Sequence, residues 1–207
     1  MVETSNPRAR ASASDGPPVI SVLSGNQLAR RDRIIDAGLA LLNDRDYDRI
    51  QVKEIADDAG VALGTVYHYF SSKDHLFAEV LIRWASTLRT HISRRPLQGG
   101  TPAVRLTEAL HRSVRAFQRR PQLVRLVGTL EMSTDPFATE VLSRLDQATS
   151  SIYREVLVEL PPERAAGIVR VVESVLATSL RGWAQGRIPI VGVYDNLSEA
   201  IALLIPS

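Results

Sequence analysis

The chain of 207 residues contains no cysteine. That absence excludes a disulfide framework and a thiolate metal site. Lysine occurs only at positions 53 and 73, and every other base is arginine. This points to a GC-rich genome and is silent on mechanism. No apolar run reaches the length needed to span a bilayer. The first residues lack the charged start and apolar stretch of a signal peptide, so a soluble cytoplasmic protein without a membrane role is expected. No GxSxG, glycine-rich phosphate loop or HExxH occurs, which removes the common catalytic signatures. No His/Asp/Glu spacing suits a metal, and neither metal nor cofactor is expected. No segment reads as a strand, and no repeat recurs at a fixed period. A strong charge is missing too: the formal net charge is only +2.

What is present is apolar and helical. Hydrophobic residues make up 44% of the chain, ample for a core of one or two domains. Residues 1–25 are rich in Ser, Ala, Pro and Gly and read as a disordered arm, with Val19 to Leu23 a short apolar exception. Asn26 to Asn43 reads as a helix with Ile34, Ala37, Gly38, Leu41 and Leu42 on one face. Arg30, Arg31 and Arg33 crowd its first turns, where the helix dipole prefers acids. A solvated face would explain them, but the unfavourable placement fits cations that meet phosphates.

The chain is organised around Gln51 to Phe70. Val52, Ile55, Ala56 and Ala59 give one apolar helix face. Gly60 follows, where a left-handed helix end favours glycine. Gln51 stands at an N-cap with Glu54 three residues on, a capping box with Gln in place of Ser or Thr. A second helix begins near Ala62. Its buried side carries Ala62, Val66, Tyr69 and Phe70 at about 100° per residue. Gly64 and His68 fall opposite, flanked by Thr65 and Tyr67. A short helix of this kind fits a DNA major groove. The region is not basic: from Leu28 to Ile82 there are seven bases and ten acids, a balance of −3. DNA binding would therefore rest on a few placed cations.

After Phe70, Ser71 and Ser72 offer caps for a fourth helix to about His91 or Ile92, and Asp74 can complete a box with Ser71. Leu76, Phe77, Val80, Leu81 and Trp84 form its stripe. Residues 96–102 break the pattern. Further helices are expected over Ala103 to Arg120, Leu123 to Met132, from Asp135-Pro136 onward, and over Glu163 to Gln185. Gly186 to Val193 reads as an extended connection. Asn196 to Glu199 reads as a capping box opening the last helix, which ends at Leu204. His75, His91 and His111 read as isolated packed or surface histidines, and Trp84 and Trp183 as packing residues.

This order of parts resembles the TetR family of transcriptional regulators. The matching residues are an Ile34-Ile-Asp-Ala37 first helix, Tyr47, Val52-Lys-Glu-Ile-Ala56, Ala59-Gly-Val61, Gly64-Thr-Val-Tyr-His-Tyr-Phe70, Ser72-Lys73 and Leu76. The resemblance implies an all-α fold. A three-helix DNA-binding domain over 26–72 would be followed by a helical bundle over 73–207 for ligand binding and dimerisation. By position it implies that Gly64, Thr65 and His68, with Leu63 beside them, approach bases, and that Tyr67 and Lys73 hold phosphates. Gln51 and Ala62 replace the family's usual hydroxyls, though Gln51 can still donate a hydrogen bond.

The same resemblance implies a homodimer through the two last helices, a palindromic double-stranded DNA operator, and release by an apolar effector. Phe117, Leu126, Leu130, Met132 and Phe137 are candidates for the ligand cavity. A narrower similarity to the branch controlling steroid and cholesterol catabolism in actinobacteria implies a lipid or steroid catabolite, or its CoA thioester. The alternative from another class is a helical carrier or enzyme for apolar molecules that does not bind DNA, although no catalytic constellation supports an enzyme.

Overall fold

The computed structural model describes residues 16–18, 20–93 and 100–206, with the side chains of 91–93 excepted. The described residues form nine α-helices and no strand. They are α1 (Gly25–Leu41), α2 (Val52–Asp58), α3 (Leu63–Tyr69), α4 (Lys73–Ser93), α5 (Pro102–Gln118), α6 (Pro121–Leu130), α7 (Pro136–Glu155), α8 (Pro162–Ala184) and α9 (Ile190–Leu204). The expected arm over 1–15 and at 19, most of the break over 96–102, and the side chain of His91 lie outside the described residues.

Local chemistry sets the helix ends. Ser24 Oγ accepts from the Gln27 N–H at 3.4 Å, and Gln27 Oε1 accepts from the Ser24 N–H at 2.8 Å. This capping box lies inside the stretch read as a disordered arm, so the ordered chain reaches further back than expected. Gly60 has φ +64°, the left-handed conformation a residue with a Cβ avoids. Glu54 accepts from the Gln51 N–H at 2.8 Å, as the box reading requires. Prolines at the first turn open α5, α6, α7 and α8.

Three local expectations are corrected. Ala62 is exposed and stands at the cap of α3, not on its buried side. Asp74 does not box with Ser71: it accepts hydrogen bonds from the Tyr47 and Ser133 hydroxyls, while Ser72 Oγ caps α4 through the His75 N–H at 3.0 Å. Asn196 lies inside α9, because Val193, Leu197 and Ile201 make a continuous buried stripe that starts the helix at Ile190. Its side chain donates to Ser179 Oγ at 3.1 Å. The apolar stripe outweighs the local capping signal.

Two hydrophobic clusters hold the molecule. The first joins α1 to α4 and continues into Leu123, Leu126 and Leu130 of α6 and Ala138 and Val141 of α7. The second joins α5, α8 and α9 with Tyr153 and Leu157. The α1–α4 end, whose α3 is expected to approach DNA bases and is called the reader below, therefore shares one apolar core with α6 and α7. Glu79, only 5% exposed, lies between Arg31 at 2.7 Å and Arg144 at 3.0 Å, tying α4 to α1 and α7.

Candidate nucleic-acid interface and ligand cavity

Helix α3 rests on Val66, Tyr69 and Phe70, which are 1%, 3% and 0% exposed. With that side buried, the opposite side must face out. Leu63, Gly64, Tyr67 and His68 are exposed, and Thr65 is half-buried. The helix presents little bulk at Gly64, an alkyl contact at Leu63, hydroxyls at Thr65 and Tyr67, and an imidazole at His68. Those groups suit base edges and phosphates. Arg30 and Arg33 are exposed on α1, and Gln51 is exposed at the start of α2.

Two cations expected at phosphates have structural partners instead. Arg31 is 8% exposed, paired with Glu79, and its guanidinium lies 5.2 Å from the Phe70 ring centroid. Its position on the apolar side of α1 turns it inward, so it joins the core, not the cationic face. Lys73 Nζ donates to the Tyr47 carbonyl at 2.6 Å and sits 4.0 Å from the Tyr47 ring centroid. Burial lowers its pKa, against the nearby Asp48, Asp74 and Glu54 carboxylates. It fastens the turn before α2 with one of its three N–H donors.

Behind the reader, a set of polar contacts joins its exit to α6 and α7. Ser71 donates to Asp135 Oδ2 at 2.7 Å, and Ser72 donates to the same oxygen. Against the upward push of burial, those hydroxyls hold the Asp135 carboxyl below its ordinary range. His75 Nδ1 accepts from the Ser71 N–H at 3.2 Å, and its ring stacks on Phe137 at 5.6 Å. Burial lowers the His75 pKa, in opposition to Glu79 and Asp135. On α6, Gln122 Nε2 donates to the carbonyls of Leu42 at 2.6 Å and Asn43 at 3.2 Å. Arg125 pairs with Asp46 at 2.6 Å. None of these long-range partners has a contiguous sequence signature.

The other face of α6 lines a cavity of about 480 Å³. Val124, Val127 and Gly128 face it from α6 and Glu131 from just past that helix's end, Leu81, Trp84 and Leu88 from α4, and Ser113 and Phe117 from α5. Helices α7 and α8 close it through Leu145, Asp146, Tyr153, Glu173 and Leu176 among others. Of the five residues expected at a ligand cavity, only Phe117 lines this one. Leu126 and Leu130 are fully buried in the core shared with the reader. Met132 is 82% exposed beyond the end of α6. Phe137 packs on His75. The apolar spacing of α6 could not tell its two buried sides apart.

Burial raises the Asp146 carboxyl, aided by Glu131, and raises that of Glu173, to which Ser150 donates at 2.8 Å. Burial pushes the Tyr153 phenol up to about 12. A second groove of about 510 Å³ runs between α8 and α9 and is lined by Val171, Ser174, Thr178 and Asn196 among others. Among the described residues no cluster of His, Cys, Asp or Glu could hold a metal ion. No described helix is long and apolar enough to cross a membrane.

With this geometry in place, comparison with known proteins is informative. The model of bacterial regulatory proteins of the tetR family matches residues 34–80. A model of the tetracyclin repressor-like C-terminal domain matches residues 99–204. The chain is 31% identical over 206 residues to the HTH-type transcriptional repressor KstR of Mycobacterium tuberculosis, covering 94% of each chain. It is 32% identical over 193 residues to KstR of Mycolicibacterium smegmatis, covering 90% of this chain and 95% of that one. A TetR transcriptional regulator from Rhodococcus sp. RHA1 superposes with a TM-score of 0.77 at 25% identity, covering 88% of this chain and 98% of that one. Thermus thermophilus FadR, a repressor solved in complex with lauroyl-CoA, shares the fold with a TM-score of 0.67 at 20% identity, covering 84% and 93%.

Proposed function

The chain belongs to the TetR family of bacterial regulatory proteins and is a DNA-binding transcriptional repressor; from that premise we propose that its homodimer leaves a palindromic operator when an apolar effector fills the α4–α8 cavity. The observation that carries this reading is the double role of α6. Val124, Val127 and Gly128 face the cavity, while Gln122 and Arg125 hold the carbonyls of Leu42 and Asn43 and the carboxylate of Asp46. Helix α7 repeats the arrangement, with Asp146 at the cavity and Asp135 on Ser71 and Ser72. An effector that shifts α6 or α7 thus acts on the supports of α1 and α3.

The base-approaching set is Leu63, Gly64, Thr65 and His68, with Tyr67, Arg30, Arg33 and Gln51 at phosphates. DNA binding occupies 26–72, and 73–207 holds the cavity and the dimer face. The dimer forms through α8 and α9, where Val171 is 44% exposed and Leu203 is 78% exposed. A two-fold dimer places its reader helices one turn of DNA apart, about 34–36 Å, or a multiple of that. The effector must favour the arrangement that misses this spacing, since equal affinity for both states would shift nothing. Its class is an apolar lipid or steroid-like catabolite, in keeping with the length-wide similarity to KstR. The site of action is the cytoplasm, where the operator lies. No observation favours a carrier or an enzyme.

A gel-shift series on DNA upstream of the protein's own coding sequence, and on neighbouring promoters, tests the reading. Saturable, salt-sensitive binding is expected; its absence at all of them would overturn it.

A further inference from the structure

The first turn of α3 holds apolar surface in the open. Ala62, Leu63 and Gly64 are consecutive exposed residues, and Leu63 is 40% exposed. One turn on, Tyr67 is 51% exposed and neighbours Leu63 on the helix surface. Along Leu63–Tyr69 there is no Lys, Arg, Asp or Glu to break up the patch. Gly64 is not explained by packing. A Cβ built on it meets nothing within 4 Å apart from its chain neighbours and the helix backbone, and its φ is not positive. Alanine would fit the fold there and favour the helix more. What the bare Cα offers is close approach from outside the chain.

An apolar patch on a face that meets DNA has few partners. Phosphates are charged, and the edges of the bases in the major groove are mostly hydrogen-bond donors and acceptors. The apolar group displayed there is the C5-methyl of thymine. We infer that Leu63 and Gly64 form a slot for a thymine C5-methyl in each half-site, with the Leu63 side chain along its flank and the bare Cα of Gly64 at its base. Thr65 and His68, on the far side of Gly64, are left to the polar edges beside that thymine. This rests on α3 being the helix that enters the groove, and it adds the chemistry of one base to that reading. The patch is continuous with the rest of the DNA-facing side of α3, which is why a base, and not a second protein, is its occupant.

The upstream fragment, prepared once with thymidine and once with deoxyuridine throughout, isolates the methyl, because the pairing edges are unchanged. Gel shifts of the full chain compare the two. Burial of one methyl is worth about fourfold in affinity, and a two-fold dimer buries two, so the deoxyuridine fragment is expected to bind about tenfold or more weakly. Leu63→Ala should narrow that ratio. Gly64→Ala puts a Cβ where the methyl sits. It should weaken binding to the thymidine fragment most, and so narrow or invert the ratio, while urea unfolding shows stability equal to or above that of the wild type. The ratio is internal to one variant and so independent of its stability. Equal wild-type affinity for both fragments, or a ratio unmoved in both variants, overturns the inference and leaves the repressor reading standing. Binding to neither fragment takes the repressor reading down, and the inference with it.

Discussion

The reader face and the cavity wall are made in opposite ways. The reader is seven consecutive residues, Leu63–Tyr69, with one side on a core and the other in water. The wall is assembled from five helices, α4 to α8, each contributing a few side chains. A contiguous site can be read from spacing alone, because burying Val66 and Tyr69 dictates where Gly64 and His68 must point. A dispersed site cannot, because its shape depends on which of several buried faces meet. The contrast also explains why the two halves respond differently to change. Surface groups on α3 can vary with little effect on the core, whereas α6 and α7 carry the cavity, the core and the reader's supports at once.

The largest effect that would break this contrast is at Arg31. If it belongs to the core, Arg31→Ala should destabilise the fold by about 3–5 kcal/mol, as removal of one partner from a buried ion pair does. Urea unfolding measures this. Arg30→Ala, one residue away and exposed, should leave stability within about 0.5 kcal/mol and weaken DNA binding on all sequences. Equal stability loss in both variants would erase the distinction.

His68→Ala sharpens the reader side. It should alter base preference at one position of each half-site by about 1–3 kcal/mol, read by selection from a randomised operator. A uniform loss on every sequence would make His68 a phosphate contact instead.

The junction between the halves predicts a pH response. Burial puts the folded His75 pKa below its unfolded value, so the unfolded chain binds the proton more readily. Stability from this group is therefore present above the unfolded pKa and is lost as pH falls below about 6.5 toward the folded value. His111, also lowered by burial, acts in the same direction. Replacing His75 by Asn, which can still accept from the Ser71 N–H, should flatten the decline between pH 7 and 5 in thermal melts. An unchanged decline would assign it to other groups.

The smallest effect is expected at Lys73. With its ammonium on the Tyr47 carbonyl, Lys73→Ala should cost about 1–2 kcal/mol of stability and leave the salt dependence of DNA binding unchanged. A slope reduced by about one unit would return Lys73 to a phosphate.

These cases show what was legible in the sequence. The helix order, the glycine turn at Gly60, the buried Tyr69 and Phe70 and the outward Gly64 and His68 follow from local periodicity. Arg31 misled because charge at the right sequence position does not reveal a distant Glu79. The start of α9 was missed because a local capping pattern at Asn196 competes with a stripe that only tertiary packing rewards. Four of the five expected cavity residues lie elsewhere because α6 is apolar toward both the core and the cavity, and periodicity cannot assign the two sides. Gln122, Arg125, Ser71 and Asp135 are ordinary polar residues until the fold brings them together.

The central claim is that filling the cavity changes the hold of the reader on DNA. Fluorescence anisotropy on the upstream fragment, at fixed salt and with increasing 1-dodecanol in a Trp183→Phe background, tests it while Trp84 reports occupancy in the same samples. The account predicts that DNA affinity falls about tenfold or more as Trp84 saturates, a coupling of ~1.4 kcal/mol. DNA affinity that stays constant while Trp84 reports a full cavity would contradict it.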